Sequence, residues 1–326
     1  MQENLVFLGI DTSNYTTSAA LCTADGRVLL SHKVPLPVKE GERGLRQSDA
    51  VFHHVKNLPE SASAIGAYLG ANPQLSIAAV AVSKTPRDVP GSYMPCFLSG
   101  VATAEFISAT NGVPIYYVSH QAGHVMAALS SACEIAGESK DKIASDRFIA
   151  FHVSGGTTDV LLCEPDEERI FKITQIGGTR DINAGQAIDR SGVMMGLRFP
   201  CGAEMDKMAL SYDGQINKFA LSVDGTWCNL SGLENKAKKM QGDGLSHDEI
   251  SANVFDFIAR TLEKITKNVI VEHGEMPVIY AGGVMSSQFI KKTLSKYGMF
   301  ASPAHSADNA VGVALHAVEY YKRSNG

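Results

Sequence analysis

Apolar positions in the first part of the chain fall into short blocks separated by polar turns. Residues 5–10 form a continuous apolar run that ends in Asp11-Thr12-Ser13, which predicts a buried strand followed by a turn. Residues 17–22 and 27–34 read as two more strands around Asp25-Gly26, giving an antiparallel meander. Val51, Val55, Leu58, Ile65 and Leu69 recur at helical spacing and predict a helix over 48–69. A strand over 77–82, a helix over 95–110, a strand over 114–118 and a helix starting near Ser119 complete one α/β lobe.

The pattern then begins again. Residues 148–153 predict a strand, a glycine turn follows, and 158–163 and 170–175 complete a second meander. Helices are predicted at 184–196, 203–211 and 247–272, a strand at 277–281, and helices at 285–297 and 308–323. The polar stretch 137–146 (GESKDKIASD) reads as the linker, so the expected lobes are 1–136 and 147–326. No literal repeat is visible; what recurs is the order of elements.

Composition narrows the class. The 326 residues are 44% hydrophobic, enough for two ordinary cores. A net charge of −5 does not resemble a polybasic nucleic-acid binder, so contact with tRNA would need a local basic patch or a protein partner. Six scattered cysteines form no C-x-x-C pair and suggest neither a zinc ribbon nor a disulfide framework. No basic leader precedes an apolar core, and no apolar run reaches the roughly 18 residues of a membrane span. The expectation is a cytoplasmic enzyme with no membrane contact.

Candidate chemistry lies at the ends of strands. Val153-Ser154-Gly155-Gly156-Thr157-Thr158 follows one strand, and its glycines would let backbone N–H groups approach a phosphate. An ordinary hairpin turn explains that segment equally well. Gly282-Gly283 stands between a strand and a helix, where adenosine can lie against backbone; a plain strand-to-helix turn is the alternative. With Asp11, these loops resemble the phosphate and adenosine loops of the actin–heat-shock protein–sugar kinase superfold. The expected fold class is therefore α/β, a duplicated actin-like fold of two lobes with a nucleotide cleft. His120-Gln121-Ala122-Gly123-His124 adds two imidazoles at i and i+4, roughly 6 Å apart at Cβ on a helix. Two such nitrogens are a ready metal pair, though two surface histidines would look the same. The third candidate ligand is Asp308, at the start of the final helix. The glutamate of H-E-x-x-H is absent, which argues against a thermolysin-like peptidase.

As a set, these motifs resemble the TsaD-like glycoprotease family, which makes threonylcarbamoyladenosine in tRNA. That family carries H-x-x-x-H, V-S-G-G-H-T, D-D-A-A-G-E-A-F-D, P-G-G-P-x-x-D, A-G-G-V-x-A-N and T-D-N-G-A. Here the matching segments are His120/His124, Val153–Thr158, Asp181–Asp189, Pro200–Asp206, Ala281–Val284 and Ala307–Ala310, in the same order. The resemblance implies that His120, His124 and Asp308 hold one metal ion, iron or zinc. It implies that Val153, Ser154, Gly155, Gly156, Thr157, Asp189, Gly202 and Asp206 hold an adenine nucleotide such as ATP, or threonylcarbamoyl-adenylate. Ser287 stands where the family has a ligand-contacting asparagine. The family's E-T-S-C-D-E-T loop is Asp11-Thr12-Ser13-Asn14-Tyr15-Thr16-Thr17, so its acidic pair is missing. Thr157 replaces a histidine, and the P-G-P-G segment is altered at 85–92.

These changes are those of a divergent paralogue. The implied activity is metal-dependent acyl transfer of threonylcarbamoyl from its adenylate to adenosine of tRNA, with no residue singled out as the catalytic group. A protein partner, including a heterodimer with a homologue, fits the family. The alternatives are a carbamoyl transferase with another acceptor and a nucleotide-binding regulatory protein.

Overall fold

The computed structural model describes residues 4–37, 45–302 and 309–325. Two compact units emerge. The first contains residues 1–129, 166–171 and 304–326; the second contains 130–165 and 172–303. The segment expected as one C-terminal lobe, 147–326, is thus shared between both. Its final helix belongs to the first unit because its apolar face packs on the first sheet.

That sheet has the order β3-β2-β1-β4-β5, with β1 Leu5–Ser13, β2 Thr16–Thr23, β3 Val28–Pro35, β4 Ser76–Thr85 and β5 Ile115–Ser119. β1, β2 and β3 are antiparallel, while β4 runs parallel to β1 and β5 parallel to β4. β1 opens with an unbroken apolar run because both faces of the sheet are covered there. Val6, Leu8 and Ile10 face a core with Ile65 and Ala104, from helices α1 (Gln47–Ala71) and α2 (Phe97–Asn111). Phe7 faces the other way, with Ala79 and Ala81, against Val313 and Ala317. The last two belong to the C-terminal helix α10 (Asn309–Asn325). α3 (His120–Ala136) leaves β5 directly, its start held by the Ser119 hydroxyl, which accepts the Ala122 N–H at 3.1 Å.

α4 (Lys140–Ala144) sits within the stretch read as a linker. The second sheet has the order β12-β11-β6-β7-β8-β10-β9. Its main strands are β6 Phe148–Val153, β7 Thr158–Asp166, β8 Ile170–Thr179 and β11 Val278–Ala281; β9 (Val223–Asp224), β10 (Trp227–Cys228) and β12 (Met299–Phe300) are two-residue strands. The covering helices are α5 (Ala184–Met194), α6 (Gly202–Ser211), α7 (Gly232–Gly242), α8 (His247–His273) and α9 (Gln288–Leu294). α8 supplies the spine of this core through Ile250, Val254, Ile258, Leu262, Ile265 and Val269, spaced three to four residues apart. All six cysteines are buried and unpaired by disulfide. No helix among the described residues is long and apolar enough to cross a membrane.

Candidate functional site

In the first unit, the two histidines of α3 meet at their ring edges. His120 Nε2 lies 3.1 Å from His124 Nε2. That separation is close to the bite of two nitrogens each about 2.0–2.1 Å from a shared ion. Behind His120, Asp11 Oδ1 stands 3.0 Å from Nδ1 and accepts the Asn309 Nδ2–H at 2.7 Å. Asp11 is 1% exposed. Burial opposes its ionisation, but His120 beside it and hydrogen bonds from Ser83 and Asn309 hold the carboxyl well below the usual carboxylate range.

The helices carrying these groups approach without side chains between them. A Cβ on Gly312 would lie 1.8 Å from the Gly123 carbonyl oxygen. A Cβ on Gly123 would lie 2.3 Å from Asn309 Oδ1. The glycine inside H-Q-A-G-H therefore lets Asn309 reach Asp11. Asp11, grouped by sequence with the nucleotide contacts, is placed against the histidine pair. Asp308 lies outside the described residues. Among the described residues, no cluster of three or more His, Cys, Asp and Glu side chains is placed to hold a metal ion.

In the second unit, the loop after β6 is stabilised by its own serine. Ser154 Oγ accepts the N–H groups of Gly156 at 3.2 Å and Thr157 at 3.1 Å. Thr158 Oγ1 accepts the Ala184 N–H at 2.9 Å, tying the loop to the start of α5. Gly185 allows that contact, since a Cβ there would lie 2.6 Å from Gly155 N. Gly282 has φ of 101°, a left-handed conformation open to glycine, and passes close to Val153.

A cavity of about 560 Å³ opens beside this loop. Gly155, Asp189, Gly202, Asp206, Gly283 and Ser287 all line it. Val153, Ser154, Gly156, Thr157 and Gly282 shape the adjoining loops and are not on its wall. Asp206 is engaged by protein: it accepts the N–H of Gln288 at 3.0 Å, that of Phe289 at 3.2 Å and the Ser287 hydroxyl. Together Asp206 and Ser287 cap α9. Asp189 accepts the Cys201 N–H at 2.8 Å. Burial pushes its carboxyl upward, and the Cys201 bond works against that shift. The mouth combines apolar walls (Ile188, Leu210, Phe255, Val284) with a few fixed polar groups, as nucleotide pockets do.

Three features escape a reading of the sequence. Asn309 shares a motif with Asp308, but an amide beside a carboxylate does not stand out as the group that matters. Ser83 gives no signal, being one polar residue inside an apolar strand. Asp181 looks like one more motif carboxylate, yet its part is structural. It accepts N–H groups from Ile182, Leu230 and Ser231, which hold its carboxyl well below the usual range despite partial burial. Asp181→Ala is expected to destabilise the protein by about 1–3 kcal/mol, measured by denaturant unfolding, because those donors lose their acceptor.

A family model described as TsaD, tRNA N6-adenosine threonylcarbamoyltransferase, matches residues 38–315. A tRNA N6-adenosine threonylcarbamoyltransferase of Thermosipho africanus (strain TCF52B) is 28% identical over 339 residues, covering 98% of this chain and 95% of that protein. One from Streptococcus suis (strain 05ZYH33) is 28% identical, covering 100% and 95%. Among solved structures, (R)-2-hydroxyglutaryl-CoA dehydratase component A of Acidaminococcus fermentans is similar with a TM-score of 0.54 at 14% identity, covering 98% and 99%. Full-length HypF in its phosphate- and nucleotide-bound form gives 0.58 at 11% identity, covering 98% of this chain and 56% of that one. At such identities the likeness is of fold, and the fold is the duplicated α/β, actin-like one.

Proposed function

Because the chain belongs to the TsaD family of tRNA N6-adenosine threonylcarbamoyltransferases, we propose that it transfers threonylcarbamoyl from threonylcarbamoyl-adenylate to adenosine of tRNA. The observation that carries the proposal is the coexistence of an imidazole pair, Nε2 to Nε2 3.1 Å, with a cavity of about 560 Å³ lined by six residues at family motif positions. The adenylate sits in the cavity of the second unit, its adenosine against Gly202 and Gly283 and its phosphate toward Gly155. In the transfer, the adenosine amine bonds to the carbamoyl carbon, the carbon–oxygen bond to phosphate breaks, AMP leaves, and the amine gives up a proton.

The donor set fits a resident metal. Two imidazole nitrogens and a carboxylate suit iron or zinc, so His120 and His124 would hold the ion, with Asp308 as the third side chain. When bound, such an ion supplies Lewis-acid polarisation of the acyl carbonyl. The chain's own part is to hold His120 through Asp11 and to bury the apolar side of the nucleotide against Phe255 and Val284.

An adenine nucleotide at 100 times its dissociation constant is expected to stabilise the fold by about 2.7 kcal/mol. Gly283→Val should remove that effect without unfolding the protein, since a Cβ at Gly283 meets nothing within 4 Å. Thermal shift with ATP, ADP and AMP checks both statements; no shift with any of them refutes the pocket assignment.

Mass spectrometry of tRNA nucleosides after incubation with threonylcarbamoyl-adenylate, metal and partner proteins of the family tests the reaction itself. A second reading is favoured by the first loop. There Tyr15 is 51% exposed and Asn14 Oδ1 accepts from Gln47 Nε2 at 2.8 Å, where the family carries cysteine and acids. Loss of one well-placed proton acceptor typically costs 10²–10⁴-fold. Tyr15→Asp with Thr16→Glu is therefore expected to raise transfer. If neither form modifies tRNA, the acceptor is another molecule or the protein is a nucleotide-binding regulator.

A further inference from the structure

We propose that Asp11 is a positioning residue for the imidazole pair: it holds the His120 proton on Nδ1, so that Nε2 turns a lone pair toward His124. This rests on the metal reading above. The physical origin is burial. A carboxylate inside protein is costly unless its oxygens find donors. Asp11 finds them in His120, Asn309 and Ser83, and in no solvent. An ionised carboxylate only accepts hydrogen bonds. At 3.0 Å from Asp11 Oδ1, Nδ1 of His120 must therefore be the nitrogen that carries hydrogen. A neutral imidazole with Nδ1–H has its free pair on Nε2, the atom 3.1 Å from His124 Nε2.

The geometry also makes the arrangement stiff. Asp11 stands near the end of β1 and His120 opens α3; Asn309 opens α10, whose backbone touches α3 at Gly312 and Gly123. None of the three side chains can retreat without moving a packed element. A carboxylate behind a ligating histidine raises its basicity and fixes its ring, and loss of such a partner typically costs 10–100-fold in metal affinity. The first strand therefore contributes to the metal through His120, not by touching nucleotide.

Two measurements on the full chain test this. In the metal-free protein, long-range ¹H–¹⁵N correlation of imidazole nitrogens should report the Nδ1–H tautomer for His120, assigned by loss of the signal in His120→Gln. An Nε2–H tautomer overturns the inference, and this arm needs no Asp11 variant to fold. Titration with cobalt(II), read by its absorption bands, should show Asp11→Asn binding about 10–100-fold more weakly than wild type. Asp11→Glu should recover more affinity than Asp11→Asn. A packing role predicts the reverse, since asparagine matches aspartate in shape and glutamate does not. Wild-type affinity in Asp11→Asn, with binding still lost in His120→Ala, overturns the role of Asp11 alone. Cobalt binding that survives His120→Ala removes the metal reading, and this inference with it.

Discussion

The double variant His120→Ala, His124→Ala is expected to co-purify with no metal and to lose transfer by roughly 10²–10⁴-fold. A Lewis acid at an acyl carbonyl contributes several kcal/mol to transition-state stabilisation, and about 1.36 kcal/mol is tenfold in rate. Removing both imidazoles takes away the two nitrogens that stand 3.1 Å apart. It also leaves the buried Asp11 with Asn309 and Ser83 but without His120, so some loss of stability should accompany the loss of metal. Elemental analysis separates the two effects, because a folded double variant with wild-type metal content contradicts the assignment. His124→Ala alone should keep the Asp11–His120 contact and still bind metal poorly.

The second large effect is steric. Gly312→Ala is expected to destabilise the protein by about 1–3 kcal/mol, and Gly312→Val by more. The added Cβ would sit 1.8 Å from a backbone oxygen of α3, which no rotamer change can relieve. Denaturant unfolding followed by circular dichroism measures the cost. An unchanged midpoint for Gly312→Val would mean that α3 and α10 do not pack as described. Gly232→Ala is the matched control, since a Cβ there meets nothing within 4 Å.

What is legible in the sequence follows from the range of the interactions. Strands with unbroken apolar runs, such as 5–10 and 148–153, announce themselves locally, and β1 and β6 form there. α1 is legible as a helix but not in its orientation. Periodicity makes Val55 a core position, yet it is 58% exposed, while His54 points inward. The reason is a polar contact: Thr17 Oγ1 lies 2.8 Å from His54 Nδ1 and satisfies a group that periodicity counts as surface. α7 escapes because its sequence is rich in Lys and Glu, with only Leu233, Ala237 and Met240 turned inward. The residues of the candidate site are visible as motifs. Their partnerships are not, because Asp11 and Asn309 stand 298 positions apart and only folding brings them together.

The place of α10 has a consequence for synthesis on the ribosome. Phe7, Ala79 and Ala81 are covered by Val313 and Ala317, which are translated after residues 172–303 of the second unit. A nascent chain released only as far as residue 303 carries an apolar sheet face with no cover. The second unit is free to collapse on α8 during that interval, while the first waits. The histidine pair is likewise without Asn309 until the final helix emerges. Premature stops or destabilising changes in α10 should therefore leave chains that chaperones retain, with their defect in the N-terminal half of the molecule.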